Sequence, residues 1–317
     1  VTLGPTKGPP RPLATSIYKI PANTKISFPN NKHLFFTEDA FPNGHDYTAS
    51  VYAKSGGWSL SEGEAQSGYF EPIFKNVTQA PVEGSLSVNF YVDTGNLKSF
   101  FNITGLSSPF KYPPLDEEKI TGYLGDFRFS DVYLNNFNFS LSPNSISQAS
   151  ASFKVYGELT YDESITDNYF SSSLYSQNSI GHGTHSQIIG ANEFEMDHPV
   201  SLDYSISVER GSRYSMPTGF SSGIEGLTPD RVSKKSTVIE MSIGGEHLNP
   251  NLLSGGFGGR RANLKAQLKD LSYSSFEDNS NGTLHEFSCS GTIQSQNISI
   301  SSAGHLNGSI SVRQLIK

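Results

Sequence analysis

Residues 85–92 read SLSVNFYV, and residues 236–243 read STVIEMSI. In both stretches every second residue is apolar, and the residues between are mostly polar. The apolar set is Leu86, Val88, Phe90 and Val92 in the first stretch and Ile239, Met241 and Ile243 in the second. A period of two puts one face on a core and the other in solvent, which predicts half-buried strands. Since such strands recur between turn signals, the chain is predicted to be all-β, with antiparallel sandwich or barrel units.

The two stretches belong to a longer internal repeat. The matched phrases, in chain order, are DYTASV (46–51) with DYSISV (203–208), Trp58-Ser59-Leu60 with Tyr214-Ser215-Met216, SLSVNFYV with STVIEMSI, NFSLS (138–142) with NISIS (297–301), and ASASF (149–153) with GSISV (308–312). Their offsets are 157, 156, 151, 159 and 159 residues. Matches that keep their order at a nearly constant offset predict a duplication.

The repeat divides the chain. We predict a first β unit at 46–160 and a second at 203–317, with a linker at 161–202 between them. Residues 1–45 precede both units as an extended Pro-rich arm. Proline fixes φ and removes a backbone donor, so long regular elements are not expected there. The arm is interpreted either as a tail or as a segment that lies on a neighbouring subunit.

Composition excludes several classes of function. The net charge is −7 over 317 residues, which argues against a broad nucleic-acid surface. Cys289 is the only cysteine, so no disulfide can form within the chain. No run of 18 apolar residues occurs, so no membrane insertion is predicted.

Two segments are less regular. In RRANLKAQLKDLSY, from Arg260, the leucines fit either a helix or a strand, and the strand-like counterpart in the first unit favours a strand. In LDEEKITGYL, residues 115–124, three acidic residues in a first turn would favour a short helix through the helix dipole.

The phrase Gly181-His182-Gly183-Thr184-His185 resembles the active-site histidine motif of subtilisin-like proteases. Those enzymes also need an aspartate, for which Asp93-Thr94-Gly95 is the candidate, and a serine motif that the chain lacks. They further need a parallel sheet with helices, whereas this chain shows no alternation of strands and helices. His182 and His185, with Asp197 or His198, could instead bind a metal, but an ordinary surface turn is the favoured reading.

Two other enzyme motifs are also incomplete. Asp93-Thr94-Gly95 is similar to the catalytic phrase of pepsin-like proteases, which need one aspartate in each lobe. The second unit has Gly244-Gly245-Glu246 at that place. Gly219-Phe220-Ser221-Ser222-Gly223 fits the nucleophile-elbow pattern without the strand that should precede it. No catalytic residue, cofactor or metal is therefore predicted, and the chain is not expected to be an enzyme.

A glycine-rich loop at residues 254–261 ends in two arginines. It lacks the Lys-Ser/Thr of a phosphate-binding loop. Phe257, Arg260 and Arg261 are the candidate residues for contact with a neighbouring subunit. The alternative is an ordinary loop without a partner.

The order of sequence phrases within the two units resembles that of a known group of proteins. DYSISVERGSRYSMPTG leads to a turn and an edge-like strand, and each unit closes with a phrase such as NFNFSLSPNSISQASASFKVYGEL or NISISSAGHLNGSISVRQLI. This pattern, over most of 46–160 and 203–317, resembles tail-tube and related virion proteins of tailed bacteriophages. The resemblance implies a structural subunit, located in the virion, whose sheets join side by side into a ring.

The same resemblance implies the partners. A chain with two units would make a pseudo-sixfold ring from three copies, and rings would stack into a tube with other virion proteins. DNA would touch the protein only in passage through the lumen. The alternative class is a binding module, such as a capsid decoration, fibre or adhesin protein that recognises carbohydrate or a host surface. Exposed aromatic residues near Trp58, Tyr69 and Phe70 would favour that alternative.

Overall fold

The structure is a computed structural model of the 317-residue chain. It describes residues 17–19, 25–28, 32–37, 47–62, 65–67, 75–77, 82–92, 97, 100, 119–124, 127–143, 145–162, 187–190, 196–214, 229–248, 260–269, 283–300 and 306–316. Statements of absence below refer to these residues.

The described regular elements are strands. In the N-terminal half they are β1 (Ile17–Lys19), β2 (Lys25–Phe28), β3 (Lys32–Thr37), β4 (Tyr47–Glu62), β5 (Ala65–Ser67), β6 (Lys75–Val77), β7 (Val82–Tyr91), β8 (Ile120–Leu124), β9 (Phe127–Leu141), β10 (Gln148–Val155) and β11 (Leu159–Asp162). In the C-terminal half they are β12 (Gln187–Gly190), β13 (Met196–Arg213), β14 (Arg231–Leu248), β15 (Arg261–Lys269), β16 (Thr283–Ile300) and β17 (Leu306–Ile316). The prediction of an all-β chain is confirmed.

All of these strands except β5 and β6 belong to one antiparallel sheet. In the N-terminal half the order is β4-β7-β10-β9-β8-β3, and β3 also pairs with β4, so the pairing closes on itself. In the C-terminal half the order is β13-β14-β17-β16-β15-β12. When the six strands of each of these two orders are numbered from one to six along the chain, both orders read 2-3-6-5-4-1.

The two halves are joined edge to edge. β9 pairs with β10 on one side, while on its other side Asn136–Leu141 pair with Leu202–Ser207 of β13. This β9–β13 joint carries hydrogen bonding from one half into the other.

One hydrophobic core lies under the sheet. In the N-terminal half its centre is aromatic: the ring of Phe100 lies 5.5 Å from Phe90, 5.8 Å from Phe137 and 6.2 Å from Phe153. The C-terminal half contributes mainly aliphatic residues and Cys289. Inward and outward positions alternate in β10, as the period of two predicts.

The structure decides both of the less regular segments. Arg261–Lys269 is strand β15, so the preference for a strand is confirmed. The helix expected within 115–124 is wrong over Ile120–Leu124, which forms β8 between β3 and β9. Cross-strand pairing and burial of Ile120, Tyr123 and Leu124 outweigh the local acidic signal.

Short strands lie in both segments outside the predicted units. The first 45 residues contain β1, β2 and β3, of three to six residues each. The 161–202 segment contains the end of β11, all of β12 and the start of β13.

Candidate functional site

The hairpins β9–β10 and β16–β17 share one register. Ala149 pairs with Phe139 in the first, and Gly308 pairs with Ile298 in the second, so both residues of the pair move by 159 positions. The bulges also correspond: the register slips between Ser152 and Phe153 in the first hairpin, and between Ile293 and Ser295 in the second. An offset of 159 residues places the first slip at the position of the second.

The neighbouring strands correspond with different offsets. Beside the first hairpin lies the cross-strand row Phe153, Leu86, Trp58, and beside the second lies the row Val312, Met241, Tyr204. Trp58 thus occupies the place of Tyr204, whereas the phrase matches align Trp58 with Tyr214. The difference is an even number of residues, so the same faces remain inward.

The β9–β13 joint is closely packed. Phe139 pairs with Tyr204, and both rings contact Phe287 of β16, at centroid distances of 4.4 Å and 4.9 Å respectively. At the end of the joint, Nε of Arg210 donates a hydrogen bond of 2.9 Å to the carbonyl oxygen of Leu134. The Arg210 guanidinium also lies 5.3 Å from the ring of Tyr133. The joint is therefore held by backbone hydrogen bonds between the two strands, by aromatic packing and by the contacts of Arg210.

The matching segment of β16 is uncovered. β15 pairs with Thr283–Thr292 on the side of β16 away from β17, and no described strand pairs on that side with Asn297–Ile300. We call Asn297–Ile300 the open edge. In β9 the inward residues Phe139 and Leu141 are buried, whereas of their counterparts Ile298 is partly buried against the core and Ile300 is 75% exposed. Exposed apolar residues on an unpaired strand edge are typical of a surface that another strand covers.

The candidate contact residues lie next to this edge. Arg261 begins β15 and pairs with Thr292, the last residue of β16 to have a partner in β15. The carbonyl oxygen of Arg260 accepts a 3.0 Å hydrogen bond from the amide of Ile293. Both arginines therefore border the point where β15 leaves β16. Phe257 lies outside the described residues.

A second feature is a polar groove on the opposite face of the sheet. Its volume is about 520 Å³, and it crosses the β9–β13 joint. One row of directly paired residues across it is Ser55, Asn89, Ser150, Asn138, Ser205, Glu240 and Arg313. Nδ2 of Asn89 donates to Oγ of Ser55 at 3.0 Å, and Nε of Arg313 lies 3.4 Å from Glu240. Hydroxyl, amide and carboxylate groups thus form a hydrogen-bonding surface, with Asp203 as its other acid.

Two titratable groups lie in the core below the groove. Burial raises the pKa of the Cys289 thiol to about 12, and its Sγ lies 3.4 Å from the carbonyl oxygen of Val312. Burial also raises the pKa of Tyr204. Both groups are therefore held in their neutral forms, which suits a packing role.

The protease-like motifs, at residues 93–95, 181–185 and 219–223, lie outside the described part of the chain, as do Tyr69 and Phe70. Asp197 and His198 fall in β13. Exposed loop aromatics near Trp58 would have favoured the binding-module alternative, but Trp58 itself lies in β4 and is 2% exposed. It pairs directly with the buried Leu86 of β7, so its side chain lies on the inward face of the sheet.

The described residues contain no candidate for a membrane-spanning helix or a metal site. No helix there is long and apolar enough to span a membrane. No cluster of three His, Cys, Asp or Glu side chains in the same residues could hold a metal.

No protein-family model matches the chain, and no curated protein matches it.

Sequence reasoning missed the open edge. The match of NFSLS with NISIS identified the right segments, but it did not reveal that β13 covers one of them, while no described strand pairs with the outer side of the other. The visible signal was the isoleucine pair in NISIS, at Ile298 and Ile300 near the end of a polar unit.

Proposed function

We propose that the protein is a non-enzymatic structural subunit that assembles with copies of itself, edge to edge, into a ring or tube. The observation that carries the proposal is the contrast between two matching strand segments. Asn136–Leu141 of β9 is covered by β13, while the open edge on β16 exposes Ile300. A strand edge of this kind is satisfied by pairing with another strand.

The repeated order of strands supports a duplicated unit. If the halves are equivalent, the β9–β13 joint is already one contact between units, and a second such contact between chains extends the series. A repeated head-to-tail contact closes into a ring when its rotation completes a circle. Three chains of two units each would then give a pseudo-sixfold ring.

The resemblance to tail-tube and related virion proteins of tailed bacteriophages gives this assembly its setting. In that setting the chain is a virion protein, and its further partners are other virion proteins. The polar groove face, with Asp203 and Glu240, is the face we assign to the lumen. Like charge disfavours phosphate contacts, so a face carrying these acids would let DNA pass.

The test is the mass of the purified chain in solution, with negative-stain images of the same sample. The proposal expects rings or tubes with threefold or pseudo-sixfold symmetry. A stable single-chain mass of 34.5 kDa at tens of micromolar would contradict it, if it is seen both for the full chain and for Ile26→Asp, a variant that weakens the pairing of β2 with the edge of β4.

A second function has one specific observation in its favour. The groove offers amide, hydroxyl and carboxylate groups at about 520 Å³, a combination that suits a polyhydroxylated ligand such as a carbohydrate. A glycan screen tests this, with Asn138→Ala and Gln148→Ala as groove variants. Glycan binding by a single chain that both variants abolish would favour the binding module over the structural subunit.

A further inference from the structure

The β9–β13 joint serves as a template for a second contact. Its paired residues, from β9 to β13, are Asn138 with Ser205, Phe139 with Tyr204, Ser140 with Asp203, and Leu141 with Leu202. The hairpin correspondence carries Phe139 to Ile298. The cross-strand rows carry Tyr204 to Trp58. A second joint built like the first would therefore pair Ile298 with Trp58, and the open edge with Gly56–Ser59 of β4.

That place on β4 is occupied within the chain. β2 pairs there, with Lys25 opposite Ser59, Ile26 opposite Trp58, Ser27 opposite Gly57, and Phe28 opposite Gly56. On β4, β2 thus takes the position that β9 takes on β13. It does so as a strand of four residues, contributed by the Pro-rich N-terminal segment.

The sequences of the three segments agree residue by residue. β9 has Asn138-Phe139-Ser140-Leu141, the open edge is Asn297-Ile298-Ser299-Ile300, and β2 is Lys25-Ile26-Ser27-Phe28. Each has a polar residue, an apolar residue, a serine and an apolar residue. The template register sets Ile298 and Ile300 opposite Trp58 and Gly56, which are the partners of Ile26 and Phe28.

We propose that β2 occupies, within the chain, the site on β4 that the open edge of another copy takes in the assembly. In the isolated chain β2 covers Gly56–Ser59 of β4, and in the assembly the open edge of a second copy displaces it and pairs in the same register. This inference rests on the proposed self-assembly and names its two surfaces. The contact is head-to-tail, since each copy offers β16 at one end and β4 at the other.

Displacement is feasible because β2 is short. Exchange of β2 for the open edge keeps the backbone pairing of β4 and, in addition, covers Ile298 and Ile300. Burial of the exposed Ile300 side chain on β16 favours the exchange. The released N-terminal segment becomes available for a further contact.

The test locks β2 in place. Directly paired residues of an antiparallel ladder lie about 5 Å apart between Cα atoms, a spacing that a disulfide spans. We expect the full-length variant Lys25→Cys/Ser59→Cys to stay a single chain when oxidised and to assemble after reduction. The single variants Lys25→Cys and Ser59→Cys are the controls, and both should assemble in either condition. Cys289 is buried and should not interfere.

The outcomes separate the two proposals. If the oxidised variant assembles as readily as the reduced one, β2 does not cover the contact site, and this inference is overturned while self-assembly stands. If neither the wild type nor the reduced variant assembles, and Ile26→Asp does not release assembly, both proposals fail.

A second measurement reads the register. We mix full-length chains carrying Ser59→Cys with chains carrying Asn297→Cys, and oxidise the mixture. The template expects an interchain cross-link for this pair and at least tenfold less for Ser61→Cys with Asn297→Cys, which lies two residues out of register. Equal yields from the two mixtures would overturn the proposed pairing.

Discussion

The hairpins β9–β10 and β16–β17 have the same register and a bulge at the same place, yet their surroundings differ. β9 is covered on its far side by β8 and β13, and its inward residues Phe137, Phe139 and Leu141 are buried. β16 is covered only as far as Thr292 among the described strands, and Ile300 is 75% exposed. The comparison shows that the hairpin does not determine burial of these residues, whereas the strand beside it does.

The largest effect is expected from a substitution in β9, the strand that β13 covers. Phe139→Ala removes a buried ring that lies 4.4 Å from Phe287, and we expect a loss of about 3 to 5 kcal/mol in unfolding free energy. On the open side, Ile300→Ala changes the counterpart of Leu141, which is 75% exposed, and should cost less than about 0.5 kcal/mol in the isolated chain. Urea unfolding of single chains measures both. Equal losses would contradict the view that only one edge is covered.

The next effect concerns close packing between β16 and β17, which form the hairpin that carries the open edge; we call it the open hairpin. A Cβ added at Gly291 would collide with the carbonyl oxygen of Arg313 on β17. Since backbone atoms must shift, Gly291→Ala should cost about 1 to 3 kcal/mol.

Gly211→Ala is the control for that change, because its Cβ would meet only the flexible end of Lys235. Thermal unfolding should place Gly211→Ala close to the wild type. If the two variants shift the midpoint equally, the tight approach of β16 to β17 is wrong.

A third effect depends on pH. Burial raises the pKa of Cys289 to about 12, above an ordinary value of 9.0, so the folded state disfavours the thiolate. The unfolded chain ionises first, and the stabilisation present below pH 9.0 is lost as the pH rises towards about 12. The slope for this group is about 1.4 kcal/mol per pH unit.

Unfolding free energies between pH 8 and pH 11 check this dependence. Cys289→Ala should flatten the curve, and Tyr204→Phe should flatten it further, because burial also raises the pKa of Tyr204. A wild-type curve with the same slope as Cys289→Ala would show that the thiol does not contribute.

The smallest effect is expected from breaking the ion pair between Arg313 and Glu240 at the groove. Arg313 of the open hairpin lies 3.4 Å from Glu240, and both side chains are nearly half-exposed. We expect Arg313→Gln to change unfolding free energy by less than about 1 kcal/mol, because solvent screens such pairs. A double-mutant cycle with Glu240→Gln measures the coupling, and a much larger value would mean that the groove is drier than its exposure indicates.

The sequence predicted much of this comparison. Alternation in SLSVNFYV and STVIEMSI identified the strands, and the matches at an offset of 159 residues related the phrases that the structure places in the hairpins β9–β10 and β16–β17. It did not predict the β9–β13 joint, because pairing between distant strands depends on which edge is left free rather than on local pattern. The offset at Trp58 was wrong for a related reason: a period of two allows any even shift without moving a side chain to the other face.

The role of β2 was hidden for a different reason. Prolines in the first 45 residues suggested an irregular arm, and KISF is too short to carry a strand signal alone. Only its pairing with Gly56–Ser59 relates KISF to NFSL and NISI. The candidate residues Arg260 and Arg261 lie beside the open edge, and their role in subunit contact stays a prediction.

The most direct test of the central claim compares the solution masses of wild type, Ile300→Lys and Leu315→Lys by analytical ultracentrifugation at the same concentrations. Leu315 is a matched control, since it is an exposed apolar residue of the same hairpin, at 52%, but lies on β17 away from the open edge. The account predicts multimers for the wild type and Leu315→Lys, and a single chain of 34.5 kDa for Ile300→Lys. Assembly of Ile300→Lys to the same mass as the wild type would contradict it.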